Sequence, residues 1–193
     1  MRLFVAVGVS GDISRQLSEW QQQLARIPAQ VRWAPSEQYH LTVKFIGEIA
    51  EAHLAELCRR LDKAAAETPA FDLSIAGLAR LQTRGQVRII MAQVVSPDQR
   101  LGRLHRRINQ EFAGLGIPLD TRPLRPHLSL GRVQSNHSLN KLLRRLEHYA
   151  AGRIAPLGPW PVGEVSLMQS TLSPQGAVYR GLHRATLQPA AAQ

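Results

Sequence analysis

Of the 193 residues only Cys58 is a cysteine. An intrachain disulfide and a cysteine-based zinc site are therefore excluded, since each needs more than one thiol. Cys58 stands at helical spacing with Leu54, Leu57 and Leu61, which marks it as a packing residue. Long apolar runs are also missing: nothing approaches the ~20 residues that a membrane-spanning helix requires. The apolar start, residues 1–9, alternates like a strand and runs into Gly11 and Asp12. It lacks the charged segment and long apolar core of a secretory signal, so a cytoplasmic location is expected and no membrane partner. There is no G-x-x-x-x-G-K-[ST] loop, no H-E-x-x-H and no aspartate cluster suited to two magnesium ions. Neither a metal nor a cofactor is expected.

Acidic residues are scarce, 14 against 24 basic ones, and the net charge is +10. Such a balance favours polyanionic partners such as RNA or a nucleotide, although arginine, 21 of the 24, can equally reflect codon composition. Aromatic residues make up 5% of the chain, so few rings are offered for stacking on bases. The length suffices for one well-cored unit or for two small lobes sharing a core.

A repeat organises the chain. His40-Leu41-Thr42-Val43 returns in kind as His127-Leu128-Ser129-Leu130, 87 residues later. The apolar strand-like segment at residues 2–7 precedes the first copy, and another at residues 88–92 precedes the second. Helix starts at Ser10 and Ser96 keep nearly the same offset. Landmarks with a common offset are the mark of internal duplication.

Periodicity and capping signals predict strands over residues 2–9, 31–33, 39–46, 71–76, 86–95, 123–132, 162–169 and 177–186. Helices are predicted from Ser10 or Asp12 to Ala25 and over residues 51–67. Two more should run from Ser96-Pro97-Asp98 to Gly114 or Gly116, and from Asn136 or Ser138 to Ala151. Thr83-Arg84-Gly85 reads as a basic, mobile loop, residues 152–161 as a Gly/Pro-rich loop, and residues 189–193 as a disordered tail. The expected fold is α+β: two pseudo-symmetric lobes, each an antiparallel sheet with outer helices, around a central catalytic groove. A single bilobal domain would span residues 1–188, with the boundary between its halves near residues 80–88, and the chain is expected to be a monomer.

Side chains alternate across a strand, so His40 and Thr42 share one face while Leu41 and Val43 share the other, and the second copy behaves alike. Each copy can therefore offer an imidazole and a hydroxyl to one cleft. Histidine titrates near ~6.5, so one copy can take a proton while the other gives one. Opening a cyclic phosphodiester needs that pair, since water attacks phosphorus while a ribose oxygen departs opposite. The hydroxyls of Thr42 and Ser129 suit hydrogen bonds to the non-bridging oxygens. Lys44 shares the parity of His40 and would border the cleft, with a solvated strand end as the other reading. Arg125 shares the parity of His127, and its guanidinium fork fits a phosphate. Arg132 has the wrong parity unless Gly131 carries a bulge, and Phe45 has core-facing parity. The remaining histidines, 53, 105, 137, 148 and 183, are read as structural.

Several segments together resemble one family. They are the opening Met1-Arg2-Leu3-Phe4-Val5-Ala6-Val7, Val31-Arg32-Trp33, His40-Leu41-Thr42-Val43-Lys44-Phe45-Ile46-Gly47-Glu48 and Arg122-Pro123-Leu124-Arg125-Pro126-His127-Leu128-Ser129-Leu130-Gly131-Arg132. Leu167-Met168-Gln169-Ser170 and Tyr179 complete the set. The resemblance is to the 2H phosphoesterase superfamily and, within it, to the RNA 2′,3′-cyclic phosphodiesterases, also called 2′-5′ RNA ligases. It implies opening of a 2′,3′-cyclic phosphate to a 2′-phosphate, with reversible 2′-5′ joining in some members, and no metal is needed if imidazolium and hydroxyl donors hold the developing charge. By the same resemblance His40 is the proton donor, His127 the proton acceptor, and Thr42 and Ser129 phosphate binders. Where relatives often carry a tryptophan and a glycine, this chain has Val87-Arg88-Ile89-Ile90-Met91-Ala92-Gln93, a departure that bears on substrate preference. Two other readings stand beside this one: the same chemistry on small cyclic nucleotides, and a non-catalytic RNA-binding module.

Overall fold

A computed structural model describes residues 1–173 and 176–189. Its strands are β1 (Arg2–Gly8), β2 (Val31–Trp33), β3 (His40–Glu48), β4 (Phe71–Thr83), β5 (Gln86–Val95), β6 (His127–Val133), β7 (Leu157–Val162), β8 (Glu164–Ser173) and β9 (Gly176–Thr186). The helices are α1 (Gly11–Ala25), α2 (Leu54–Ala66), α3 (Arg100–Ala113) and α4 (Asn140–Leu146). The α+β expectation holds. No helix among the described residues is long and apolar enough to cross a membrane.

Antiparallel pairing runs β7-β4-β5-β6-β3-β1-β8-β9, with β2 added on β6. The order is continuous, yet β3 and β6 pair at one position, Leu41 opposite Leu128. On either side of that pair lies a lobe: β3-β1-β8-β9 on one hand, and β6-β5-β4-β7 with β2 on the other. Apolar side chains of both lobes' rear faces, among them Val5, Val43, Leu167, Ile90 and Leu130, join the helices in one core. The opposite faces line the groove.

Helices do not stay with their own repeat. In α1, Ile13, Leu17 and Leu24 form the buried stripe and Ser10 caps the start, as its spacing requires. Yet α1 packs beside β2, β7 and α4, with the Trp20 and Tyr149 rings 5.4 Å apart. The matching helix of the second repeat, α3, packs on β3 and α2, while α2 covers β8 and β9.

Several boundaries differ from expectation, each for a local reason. Residues 157–162 pair with β4 instead of forming a loop. Pro159 and Pro161 lack an N–H, but β7 is an edge strand, where a missing donor costs no ladder bond. Pro123 and Pro126 likewise delay β6 until His127. The Ser96-Pro97-Asp98 segment is a turn: Gln99 takes φ +60°, the Asp98 carboxylate accepts from the Arg100 N–H at 3.0 Å, and α3 starts there. Asn136 is not a helix cap; its side chain exchanges two hydrogen bonds with the Val87 backbone, at 2.8 and 3.0 Å. Helix α4 consequently starts at Asn140. β4 continues past Ala76 to Thr83, and Arg84 and Gly85, both at positive φ, close a tight two-residue hairpin to β5 in place of a long loop. Of the tail at 189–193, residues 190–193 lie outside the described residues.

Candidate active site

The Leu41–Leu128 pair brings the two tetrapeptides together at the floor of the groove. Both leucines are fully buried, so their neighbours His40, Thr42, His127 and Ser129 turn to the opposite, half-buried face. Each imidazole is oriented in the same way. His40 Nδ1 lies 2.7 Å from the Gln38 carbonyl and His127 Nδ1 lies 2.8 Å from the Arg125 carbonyl. A carbonyl only accepts, so each Nδ1 carries the proton and each Nε2 is left for chemistry in the groove. In both cases the acceptor sits two residues back along the chain, which makes the repeat a repeat of geometry.

Both strands then bulge at equivalent places. On β3, Val5 faces Lys44 and Ala6 faces Thr42, leaving Val43 as the extra residue. On β6, Ile90 faces Gly131 and Met91 faces Ser129, leaving Leu130 as the extra residue. A bulge shifts the alternation by one, so the side chains directly beyond it change face. Phe45 therefore emerges on the groove side, where it is 67% exposed, and so does Arg132, 87 residues on. Arg32 lies opposite Arg132 on β2, and both are exposed. Strict period-2 counting missed Phe45 and Arg132; the signal available in the sequence was Gly131.

The same shift corrects the reading of Lys44. Its side chain lies in the interior, not at the cleft, with a relative exposure of 1%. The ammonium donates to Asn109 Oδ1 at 2.7 Å and to the Pro118 carbonyl at 2.9 Å, and lies 3.5 Å from Asp120 Oδ1. Two hydrogen bonds and one ion pair thus surround the buried ammonium. His105 Nε2, 3.0 Å from Asp120 and 2.9 Å from Asn109 Nδ2, extends the cluster. Opposite it in the fold, Gln21 of α1 donates to Leu130 O at 2.9 Å and Ala34 O at 2.7 Å. Arg125 precedes β6 and is exposed; its carbonyl orients His127.

Rings gather around His40. Phe4 and Tyr179 lie 5.0 and 4.9 Å from its imidazole, the latter edge-on, and Phe45 lies 6.2 Å from Phe4. This enclosure takes His40 out of water and holds its pKa below the ordinary imidazole range. The Gln38 carbonyl opposes that effect, and the nearby His127 adds to it. No comparable ring cluster stands beside His127 among the described residues. Met91 and Gln93, paired with Ser129 and His127, share the groove face of β5, at the segment where the sequence departs from the family pattern.

The model of the LigT like Phosphoesterase family matches residues 7–91 and again residues 94–179. The two matches start 87 residues apart (7 and 94), in step with the repeat of the tetrapeptides. The RNA 2′,3′-cyclic phosphodiesterase of Methanothermobacter thermautotrophicus is 30% identical over 93% of this chain and 95% of its own. A crystal structure from Thermus thermophilus superposes with a TM-score of 0.79 at 26% identity, covering 98% of this chain and 99% of the other. LigT of Escherichia coli in apo form, at 23% identity and 97% of both chains, shares the fold with a TM-score of 0.74. With both halves matched and the relatives covered almost end to end, the chain belongs to the LigT like phosphoesterases.

Proposed function

We propose that this chain hydrolyses 2′,3′-cyclic phosphate ends of RNA to 2′-phosphates, without a metal ion, by proton transfer between His40, His127 and the substrate. The observation that carries the reading is the paired orientation of the imidazoles. Each has Nδ1–H tied to a carbonyl two residues back, and each leaves Nε2 free beside the other's tetrapeptide. His127 Nε2 accepts a proton as water attacks phosphorus; His40 Nε2 gives a proton to the departing 3′ oxygen, so the P–O3′ bond breaks and a 2′-phosphate remains. Burial disfavours the charged form of His40 in the free protein. A bound phosphate anion stabilises its protonated form, which makes the donor available once substrate is present.

Thr42 and Ser129 hydroxyls donate to the two non-bridging oxygens, where charge grows. Arg132 and Arg32, with the Arg125 side chain at the mouth, supply cations for the phosphate and the RNA backbone. Phe45 and Tyr179 offer faces for the terminal base. With a 5′-hydroxyl in place of water, the same proton transfers break the P–O3′ bond and leave a 2′-5′ diester, the ligation that the resemblance implies; its reverse, attack by the 3′-hydroxyl, re-forms the cyclic phosphate and frees the 5′-hydroxyl.

The test is an RNA oligomer ending in a 2′,3′-cyclic phosphate, incubated with a chelator, with the product identified as 2′- or 3′-phosphate. His40→Ala and His127→Ala should each lower turnover by about 10²–10⁴-fold while the far-ultraviolet circular dichroism is unchanged. Undiminished turnover in either variant refutes the mechanism, as does tight RNA binding with no product. A mononucleotide cyclic phosphate handled as well as the oligomer at all salt concentrations would transfer the reading to small substrates.

A further inference from the structure

The two bulges that turn Phe45 and Arg132 into the groove are each held from the rear of the sheet by a buried polar side chain. The holders are exchanged between repeats. Gln21, in the first repeat's α1, binds Leu130 O in the bulge of the second repeat's strand. Asn109, in the second repeat's α3, binds Lys44 Nζ in the bulge of the first repeat's strand.

We infer that Gln21 and the Lys44–Asn109 pair are positioning residues that lock the two bulged registers, and thereby fix which side chains meet the substrate. The inference rests on the reading of the groove as the site of cyclic phosphate opening. Neither Gln21 nor Lys44 reaches the groove, so neither takes part in the chemistry.

The energetic argument is one of register. In an unbulged β3, Lys44 would turn to the groove and Phe45 to the core. Pro118 O would then lose its donor inside the protein, and an unsatisfied buried acceptor costs about 1–3 kcal/mol, while Asn109 Oδ1 would keep only the Asp120 N–H at 3.0 Å. The bulged register alone brings the ammonium to Asn109 Oδ1, Pro118 O and the Asp120 carboxylate at once. For β6 the count is similar: both Nε2 protons of Gln21 are used, on Ala34 O and Leu130 O, and Leu130 O also accepts from the Ala34 N–H at 2.8 Å. The bulge turns the carbonyl of its extra residue out of the β5–β6 ladder, and Gln21 and the Ala34 N–H together hold it there. An apolar residue at either position fills the space but does not distinguish one register from the other.

Lys44→Met keeps length and apolar bulk, and Asp120, 36% exposed, stays solvated and bonded to His105 and Asn109. The variant should therefore fold. With a cyclic-phosphate-ended RNA, KM should rise about tenfold, the loss of one stacked base, while kcat stays within about threefold. Lys44→Met combined with Phe45→Ala should be no worse than Phe45→Ala alone, and Gln21→Met with Arg132→Ala should behave alike. Amide hydrogen exchange should quicken at residues 43–46 in Lys44→Met and at 130–132 in Gln21→Met, with the β8–β9 ladder unaffected. Additive penalties, or single variants with wild-type KM and exchange, overturn the inference. Should Lys44→Met not fold, Asn109→Ala, which leaves Lys44 two acceptors, is read by the same quantities. Wild-type protein inert toward the RNA would sink the functional reading, whereas exchange at the bulges still decides the positioning one.

Discussion

Replacing Gly131 by alanine probes the bulge of β6 directly. A β-carbon there would stand 2.7 Å from Val31 Cγ1 and 2.8 Å from Trp33 Cε3. Carbon contacts are comfortable at about 3.5–4.0 Å, so the neighbours must withdraw by roughly 0.8 Å. The obstruction is made of side chains on β2, a three-residue strand paired only with β6 among the described residues, and β2 can shift as a unit. Overpacking costs about 1–3 kcal/mol, and a compliant partner places Gly131→Ala in the lower half of that range. For a chain of this size each kcal/mol lowers Tm by about 2–4 °C, so a fall of roughly 3–8 °C is expected by scanning calorimetry. Because Arg132 follows directly on the bulge, KM for cyclic-phosphate RNA should rise in the same variant. Gly77→Ala is the control: its β-carbon would meet the backbone at Ala151 N, 2.5 Å, and Tyr149 O, 2.6 Å, where no side chain can yield. That substitution should be the more destabilising, and it lies two strands from His127, through Gln93, and not on the bulge of β6. A Gly131→Ala protein with wild-type Tm and wild-type KM would refute the packing argument and the role given to the bulge.

Phe45→Ala should change stability by less than about 0.5 kcal/mol, the ring being exposed, while KM rises about 5- to 150-fold for the loss of a stacked base; an unchanged KM removes Phe45 from the site. Burial lowers the folded pKa of His40, so below ~6.5 the unfolded chain binds a proton that the folded one does not. This contribution to stability is complete above ~6.5 and is lost as pH falls from there through the folded pKa. Denaturant titrations between pH 5 and 8 should show wild type losing more stability on acidification than His40→Asn; equal slopes would contradict the burial of that ring.

Where the sequence was legible, the pattern was local. β2 and β5 begin and end as their alternation requires, and the Ser10 cap fixes the start of α1. The tetrapeptides were legible because both imidazoles precede the bulges, so simple parity still holds for them. Lys44 and Phe45 lie after a bulge, where the same counting inverts, and nothing in Val43-Lys44 announces the extra residue. On β6 the glycine does, since no side chain fits beneath Val31 and Trp33. β7 was hidden by its prolines, whose acceptability depends on the strand lying at an edge, a property of the sheet that no window of residues contains.

Each repeat lends its first helix to the opposite lobe, and each also lends a later strand. β4 of the first pairs with β5 of the second, while β8 of the second pairs with β1 of the first. A half-length chain with this sequence pattern would bury neither its helix nor its strand edge alone, and would do so only around a two-fold axis with an identical partner. The arrangement is that of a segment-exchanged homodimer written on one chain. On one chain no symmetry binds the two copies, so position 45 holds a ring where its twin at 132 holds a cation.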